Sequence, residues 1–149
     1  MPEEIFTVKK AFGLGAVRDD ALAIRQAVFV AEQNVPLDLE LDDLDDQTTH
    51  YVGYVGEHAV ATARVAVNAE TANWHIQRVA TDKRYRGHGY AAKIMQAIIA
   101  DAQAEHAKTL DLGAQITALG FYEKLGFVGE GDLFMDAGIQ HRNMVLTLD

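Results

Sequence analysis

Ile76-Gln77-Arg78-Val79-Ala80-Thr81-Asp82-Lys83-Arg84-Tyr85-Arg86-Gly87-His88-Gly89-Tyr90-Ala91 is the stretch that decides the fold of this 149-residue chain. An apolar strand ends near Thr81, a cationic turn closes on two glycines one residue apart, and a helix then opens with Ile94, Met95, Ile98, Ile99 and Ala102 on one face. Glycine takes backbone conformations closed to other residues and lets a ligand approach the chain. The first turn of a helix leaves N–H groups without intrahelical partners, and the helix dipole adds partial positive charge there, so the order strand, glycine turn, helix suits an anion such as a phosphate. Arg78, Lys83, Arg84, Arg86 and Lys93 place 5 of the 13 Lys and Arg residues in or beside this turn, in a chain of net charge −9. Such a local positive island draws an anion despite the overall charge. A tight turn before a core helix, with solvated arginines, would show the same two glycines, so the glycines by themselves leave both readings open.

Two rival phosphate motifs fit less well. A P-loop requires Gly-Lys-Ser/Thr after its second glycine, where this chain has Tyr90 and Ala91. A dinucleotide fingerprint matches Gly87-x-Gly89-x-x-Ala92, with Asp111 on the next strand as the ribose partner. However, Asp82 to Arg86 separate the strand from the first glycine, and the segments before the turn read as strands rather than βα units. The nicotinamide reading therefore ranks low.

The chain length suits one domain, residues 1–149, with a sizeable core. Hydrophobic content of 49% and charged content of 23% are ordinary for a globular protein. No cysteine is present, which excludes disulfides, thiolate metal sites and a cysteine nucleophile. The six histidines are scattered without ligand spacing, and no metal is expected. No apolar run reaches the ~18 residues that cross a bilayer, and Met1-Pro2-Glu3-Glu4 lacks the features of a signal peptide, so a cytoplasmic protein without membrane partner is expected. The acidic balance, with a pI near 5.0, argues against nucleic acid as partner.

Ile5 to Val8 reads as a short strand, and apolar spacing from Asp19 or Asp20 through Glu32 as a helix that Pro36 ends. Asp38 to Asp46 carries six acids and no base. Such a run is a solvated loop or an anionic rim that collects a cationic amine. His50 opens a strand and reads as a structural hydrogen-bonding partner. His50 to Gly56 and Ala59 to Val67 form a hairpin, Asn73 to Thr81 the next strand, and Gly89 to about His106 a helix. Thr109 to Gly113 is a strand parallel to the one ending at Thr81, and Ile116 to Leu125 a short helix ended by Gly126. A closing hairpin runs around Phe134 and from His141 to Leu148, and its apolar character offers an interface for a homodimer.

Arg84-x-x-Gly87-x-Gly89 resembles the Gln/Arg-x-x-Gly-x-Gly/Ala signature of the GNAT (GCN5-related) N-acetyltransferases. Arg25-x-x-Val28-Phe29-Val30-x-Glu32-Gln33-x-Val35-Pro36, Glu40-x-Asp42-x-x-Asp45, Gln115 with Phe121-Tyr122-Glu123-Lys124-Leu125-Gly126-Phe127, and Gly138-Ile139-x-His141-x-x-Met144 are similar to the ElaA/YjcF-like branch of that superfamily. The resemblance implies a mixed α/β acyl-CoA N-acyltransferase fold: a mostly antiparallel sheet of about six or seven strands with helices on both faces. It implies transfer of an acetyl group from acetyl-CoA, as cosubstrate, to a primary amine of a small molecule or peptide. A catalytically idle acyl-CoA binding or sensing module is the alternative.

By the same resemblance the backbone from Val79 through Ala80 to Thr81 meets the thioester and pantetheine, and the Val79 N–H polarises the carbonyl. The turn Arg84, Tyr85, Arg86, Gly87, His88, Gly89, Tyr90, Ala91 holds the pyrophosphate. Tyr122 stands at the family's general acid and touches the coenzyme. Glu32, Glu40, Asp42 and Asp45 would face the acceptor. Glu32, Asp42, His75 and His141 are all candidate bases, and His141 has the better claim from its motif.

Overall fold

A computed structural model describes residues 5–148; the start Met1–Glu4, read above for a signal segment, lies outside them. The elements are β1 (Phe6–Phe12), α1 (Ala16–Arg25), a π-helical segment (Gln26–Glu32), α2 (Leu37–Glu40), β2 (Thr49–Val55), β3 (His58–Asn68) and β4 (Asn73–Thr81). After these come α3 (Tyr90–Ala104), β5 (Thr109–Gln115), α4 (Leu119–Lys124), β6 (Val128–Asp136) and β7 (Ile139–Thr147). They form a seven-stranded sheet of order β1-β2-β3-β4-β5-β7-β6, in which β4 and β5 are the parallel pair and the other pairings are antiparallel.

Alternation along the strands sends side chains to two separate cores. Tyr51, Ile76, Leu110 and Leu112 pack with Ile94, Met95, Ile98 and Ala102 of α3 on one face. Val52, Tyr54 and Ala80 pack with Ala21 and Ile24 of α1 on the other. Ile94, Met95 and Ile98 are wholly buried, each contributing ~1.5–3 kcal/mol of apolar burial. Gly53 is set by a close approach: a Cβ there would stand 2.4 Å from the Phe6 ring, and that ring stacks on Tyr90 at 4.7 Å. The packing thereby ties the edge strand to the first residue of α3.

Three features differ from the sequence reading. β1 runs on to Phe12, since its pairing with β2 continues to Thr49. The first helix starts at Ala16 with Gly15 before it, because Asp19 and Asp20 are engaged elsewhere: Asp20 accepts from the Tyr54 hydroxyl at 2.6 Å and Asp19 pairs with Arg18. The helical run ends at Glu32 as read, but Pro36 beyond it also opens α2, an element absent from the sequence reading, its fixed φ suiting a helix start. No helix among the described residues is long and apolar enough to cross a membrane.

Candidate active site

The parallel pairing of β4 with β5 covers only Asn73 to Ile76 against Thr109 to Leu112. Beyond Ile76 the two strands part, although β4 continues to Thr81 and β5 to Gln115. A bulge lies in the open part. Arg64 pairs with Gln77 and Thr62 with Ala80, so Arg78 and Val79 together face Ala63. Arg78 takes φ +57° there, an uncommon conformation for a side-chain-bearing residue, and a bulge of this kind re-aims side chains beside a site.

A cleft of about 430 Å³ opens at the parting. Val79, Tyr122 and His141 all line it, together with Phe29 and Phe134. Tyr122 is 7% exposed and meets Phe121 and Phe127 edge-on. Burial pushes its phenol above the ordinary value, so the hydroxyl keeps its proton through neutral pH. The His141 ring stacks on Phe134, and its Nδ1 lies 2.7 Å from the Ile139 carbonyl oxygen. A carbonyl only accepts, so Nδ1 carries the proton and a neutral His141 keeps Nε2 as an acceptor. Gln115 Nε2 donates to Gln33 Oε1 at 3.0 Å, joining the end of β5 to the end of the π-helical segment.

The glycine turn sits at the far end of β4. Gly87 and Gly89 have φ +87° and +76°, and no side chain caps the N-terminus of α3, so its first N–H groups stay available to an anion. Both arginines of the turn have carboxylate partners. Arg84 folds back on Asp82. Arg86 donates from Nη1 and Nη2 to the two oxygens of Glu32, both at 2.7 Å, and from Nε to the Thr81 carbonyl. The hydrogen bonds from Arg86 hold the Glu32 carboxyl below its ordinary value. Tyr85 packs against the α3-side core, and Tyr90 stacks between Phe6 and His88.

The chain belongs to the GNAT acetyltransferase family. The family model for the acetyltransferase (GNAT) domain matches residues 14–148. The chain is 36% identical over 127 residues to YjcF of Bacillus subtilis, named as an uncharacterized N-acetyltransferase, covering 85% of this chain and 89% of that one. It is 32% identical to ElaA of Escherichia coli, covering 83% of this chain and 82% of that one. The crystal structure of that ElaA superposes with a TM-score of 0.83 over 95% of this chain and 99% of the other, at 25% identity. An acyl-CoA N-acyltransferase of Pseudomonas aeruginosa superposes with a TM-score of 0.82, covering 97% and 99%, also at 25% identity. The ElaA/YjcF-like branch, the GNAT fold, the mostly antiparallel seven-stranded sheet and an enzyme that transfers acyl groups from acyl-CoA are thereby established. The nicotinamide reading is set aside.

Within the GNAT fold the glycine signature fits this chain in two frames: Arg84-x-x-Gly87-x-Gly89 and, two residues on, Arg86-x-x-Gly89-x-Ala91. In the second frame the glycine coincides with the residue before α3 and the alanine with its first turn. Arg84, by contrast, is 79% exposed along its side chain.

The acidic stretch requires correction. Glu40, Asp42 and Asp45 do not form an open anionic rim, because arginines from α1, β3 and β4 neutralise them. Arg25 and Arg64, each 1% exposed, both reach Asp45 Oδ1 at 2.9 Å. Glu40 lies between Arg25 at 2.6 Å and Arg78 at 2.7 Å, and Asp42 pairs with Arg64 at 2.7 Å and Arg78 at 3.1 Å. Burial alone would push the Asp45 carboxyl up, yet Arg25, Arg64 and Arg18 hold it well below the carboxylate range. Ions taken out of water must be paired in this way. Glu40 borders the cleft with its charge already matched, and Glu32 lies against the glycine turn through Arg86. His50 has the structural role read for it, with Nε2 2.8 Å from the Asp45 carbonyl oxygen.

One constellation was not read as a unit. His75 of β4 stands in register with Asp111 of β5, and its Nδ1 lies 2.9 Å from Asp111 Oδ1. Asn73 Nδ2 donates to the same oxygen at 2.8 Å, and Thr109 Oγ1 donates to Asn73 Oδ1 at 2.7 Å. The alternation of the two strands was legible; their mutual register was not.

Proposed function

We propose that this enzyme transfers the acetyl group of acetyl-CoA to a primary amine of a small molecule or peptide. The observation that carries the reading is the parting of β4 from β5 beyond Ile76. It opens onto a cleft where Val79, Tyr122 and His141 meet, and the uncapped start of α3 follows the parted, C-terminal end of the same strand. A strand edge with free amide groups suits an amide-rich pantetheine arm laid along Val79, Ala80 and Thr81. The amides from Arg86 to Ala91 receive the pyrophosphate, and Arg84, Arg86 and Lys93 supply charge. A Bacillus subtilis acetyltransferase of the same fold was solved in complex with CoA, with a TM-score of 0.70, which supports coenzyme binding.

The Val79 N–H polarises the thioester carbonyl as negative charge develops on its oxygen, a contribution usually worth ~3 kcal/mol. The amine lone pair attacks the carbonyl carbon, the C–S bond breaks, and Tyr122 gives its proton to the departing thiolate. His141 Nε2 accepts a hydrogen bond from the amine and orients its lone pair. Because Glu40, Asp42 and Asp45 are paired with arginines, the acceptor needs no second cationic group to match them.

Calorimetric titration with acetyl-CoA, with NADH as the control ligand, tests the coenzyme assignment, and thiol release over a panel of amines tests transfer. Tyr122→Phe is expected to lower kcat by ~10²-fold or more while the dissociation constant for coenzyme A stays unchanged. Binding without transfer to any amine would favour the idle binding module; an unaltered kcat would remove Tyr122 from the mechanism.

A further inference from the structure

His75 borders two hollows at once: the cleft that holds Tyr122 and His141, and a wide, open depression on the other side lined by Asn68, Glu70, Asn73 and Asp111. Its imidazole is therefore a wall between the reacting centre and solvent. Asp111 Oδ1 faces Nδ1 at 2.9 Å, and a carboxylate only accepts, so Nδ1 carries the proton and the neutral ring leaves Nε2 as the basic nitrogen. Asp111 is in turn fixed by Asn73, and Asn73 by Thr109. Burial alone would push the Asp111 carboxyl up, but the hydrogen bonds from His75 and Asn73 hold it below its ordinary value, so it faces the ring as an anion.

We propose, resting on the acyl-transfer reading above, that His75 is the base that takes the proton from the acceptor's ammonium group and passes it to solvent through the open depression, with Asp111 as its positioning residue. His141 differs in the partner of its Nδ1. That partner is a neutral carbonyl, and the ring is 8% exposed beneath Phe134, with no carboxylate among the described residues bonded to it. His75 has a carboxylate beside Nδ1 and a side chain 40% exposed, so a proton arriving at Nε2 meets both a counter-charge across the ring and a path to water. The other charged groups lining the two hollows are Glu70 on the open side and Glu40, Arg78, Asp136 and His141 on the cleft side. Glu40 and Arg78 neutralise one another.

The protons balance. An ammonium acceptor loses two on becoming an amide. The first goes to His75 Nε2 and out to water, freeing the lone pair that attacks the thioester carbon. The second leaves the tetrahedral nitrogen and restores Tyr122, whose own proton has gone to the thiolate.

The test combines a spectroscopic and a kinetic reading on the full chain. In 15N-labelled protein, long-range 1H–15N correlation spectra should show neutral His75 protonated at Nδ1, and Asp111→Ala, which removes the acceptor facing Nδ1, should shift the neutral ring towards the Nε2-protonated form that a free imidazole side chain prefers. With acetyl-CoA and either ethylamine or 2,2,2-trifluoroethylamine as acceptor, His75→Gln should lower kcat for ethylamine by ~10²-fold. It should also abolish the acid limb of the pH–rate profile and leave the KM for acetyl-CoA unchanged. The loss should be much smaller for trifluoroethylamine, which is already neutral at pH 7, and a purely structural defect would not distinguish the two amines. An Nε2-protonated ring in the unsubstituted protein, or wild-type rates in His75→Gln, would overturn the role of His75 alone. A protein that acetylates neither amine would overturn the proposed acetyl transfer to a primary amine and the role of His75 with it.

Discussion

The bidentate pair between Arg86 and Glu32 makes a prediction of unusual sign: Glu32→Gln should bind coenzyme A more tightly than the unsubstituted protein. Arg86 stands in the turn proposed above to receive the pyrophosphate, but its Nη1 and Nη2 are already bonded to Glu32 at 2.7 Å. A phosphate that uses this guanidinium must displace the carboxylate. The two side chains are 40% and 33% exposed, so water and salt weaken the pair. Exposed pairs contribute 0.2–1 kcal/mol, and the two-fold geometry puts this one near the upper end, about 1 kcal/mol. Replacing Glu32 by Gln removes that competition and one negative charge facing the ligand, and about 1 kcal/mol is a ~5-fold gain in affinity. The same change removes a stabilising pair from the free protein. The folded Glu32 carboxyl is held below its ordinary value, so its contribution is present above the unfolded pKa of about 4.3 and is lost as pH falls through the folded value. Glu32→Gln should thus bind tighter at neutral pH while unfolding at slightly lower urea concentration. Calorimetric titration with coenzyme A at low and high salt, on Glu32→Gln, Arg86→Ala and the double variant, completes a cycle in which Glu32→Gln has no effect once Arg86 is gone. Equal or weaker binding by the Glu32→Gln single variant would refute the reasoning and make Glu32 a support that holds Arg86 in place for the phosphate.

Asp45→Asn should leave Arg25 and Arg64 without their shared partner at a site with 1% exposure on both arginines, costing about 3–5 kcal/mol in urea unfolding. The depressed carboxyl of Asp45 contributes stability that is present above the unfolded pKa of about 3.9 and lost as pH falls towards the folded value. The acid side of the stability–pH curve should therefore be flatter in the variant; parallel curves would show that the network does not depend on that charge. Gly89→Val forces a β-branched residue into φ +76° and should lower coenzyme affinity at least ~10-fold by displacing the first turn of α3, since such strain costs ~1–3 kcal/mol. Unchanged binding in calorimetry would move the phosphate site away from this turn.

Whatever depended on neighbours along the chain was legible in the sequence. β4 runs from Asn73 to Thr81 as read, and Ile94, Met95, Ile98 and Ala102 form the buried face of α3. The glycine turn lies between these two elements. Those features arise from periods of two and 3.6 residues and from the backbone freedom of glycine, which are local properties. The family motifs extended that local reading to Tyr122 and His141, which the cleft does bring together.

The acids of residues 38–46 show where local reading stops. A run of six acids without a base is self-repelling on paper, and its neutralising arginines come from α1, β3 and β4, brought to it only when the sheet and helix close around Asp45. The bulge at Arg78 and Val79 is a mismatch between two strands and belongs to neither alone. His75 and Asp111 are 36 residues apart and meet because a parallel pair has one register. The sequence by itself determined the order of the main elements, their buried faces and the glycine turn before α3. Tertiary structure decided which charges cancel, where β4 and β5 part, and which histidine faces a carboxylate, because each of these depends on distances between groups remote in the chain.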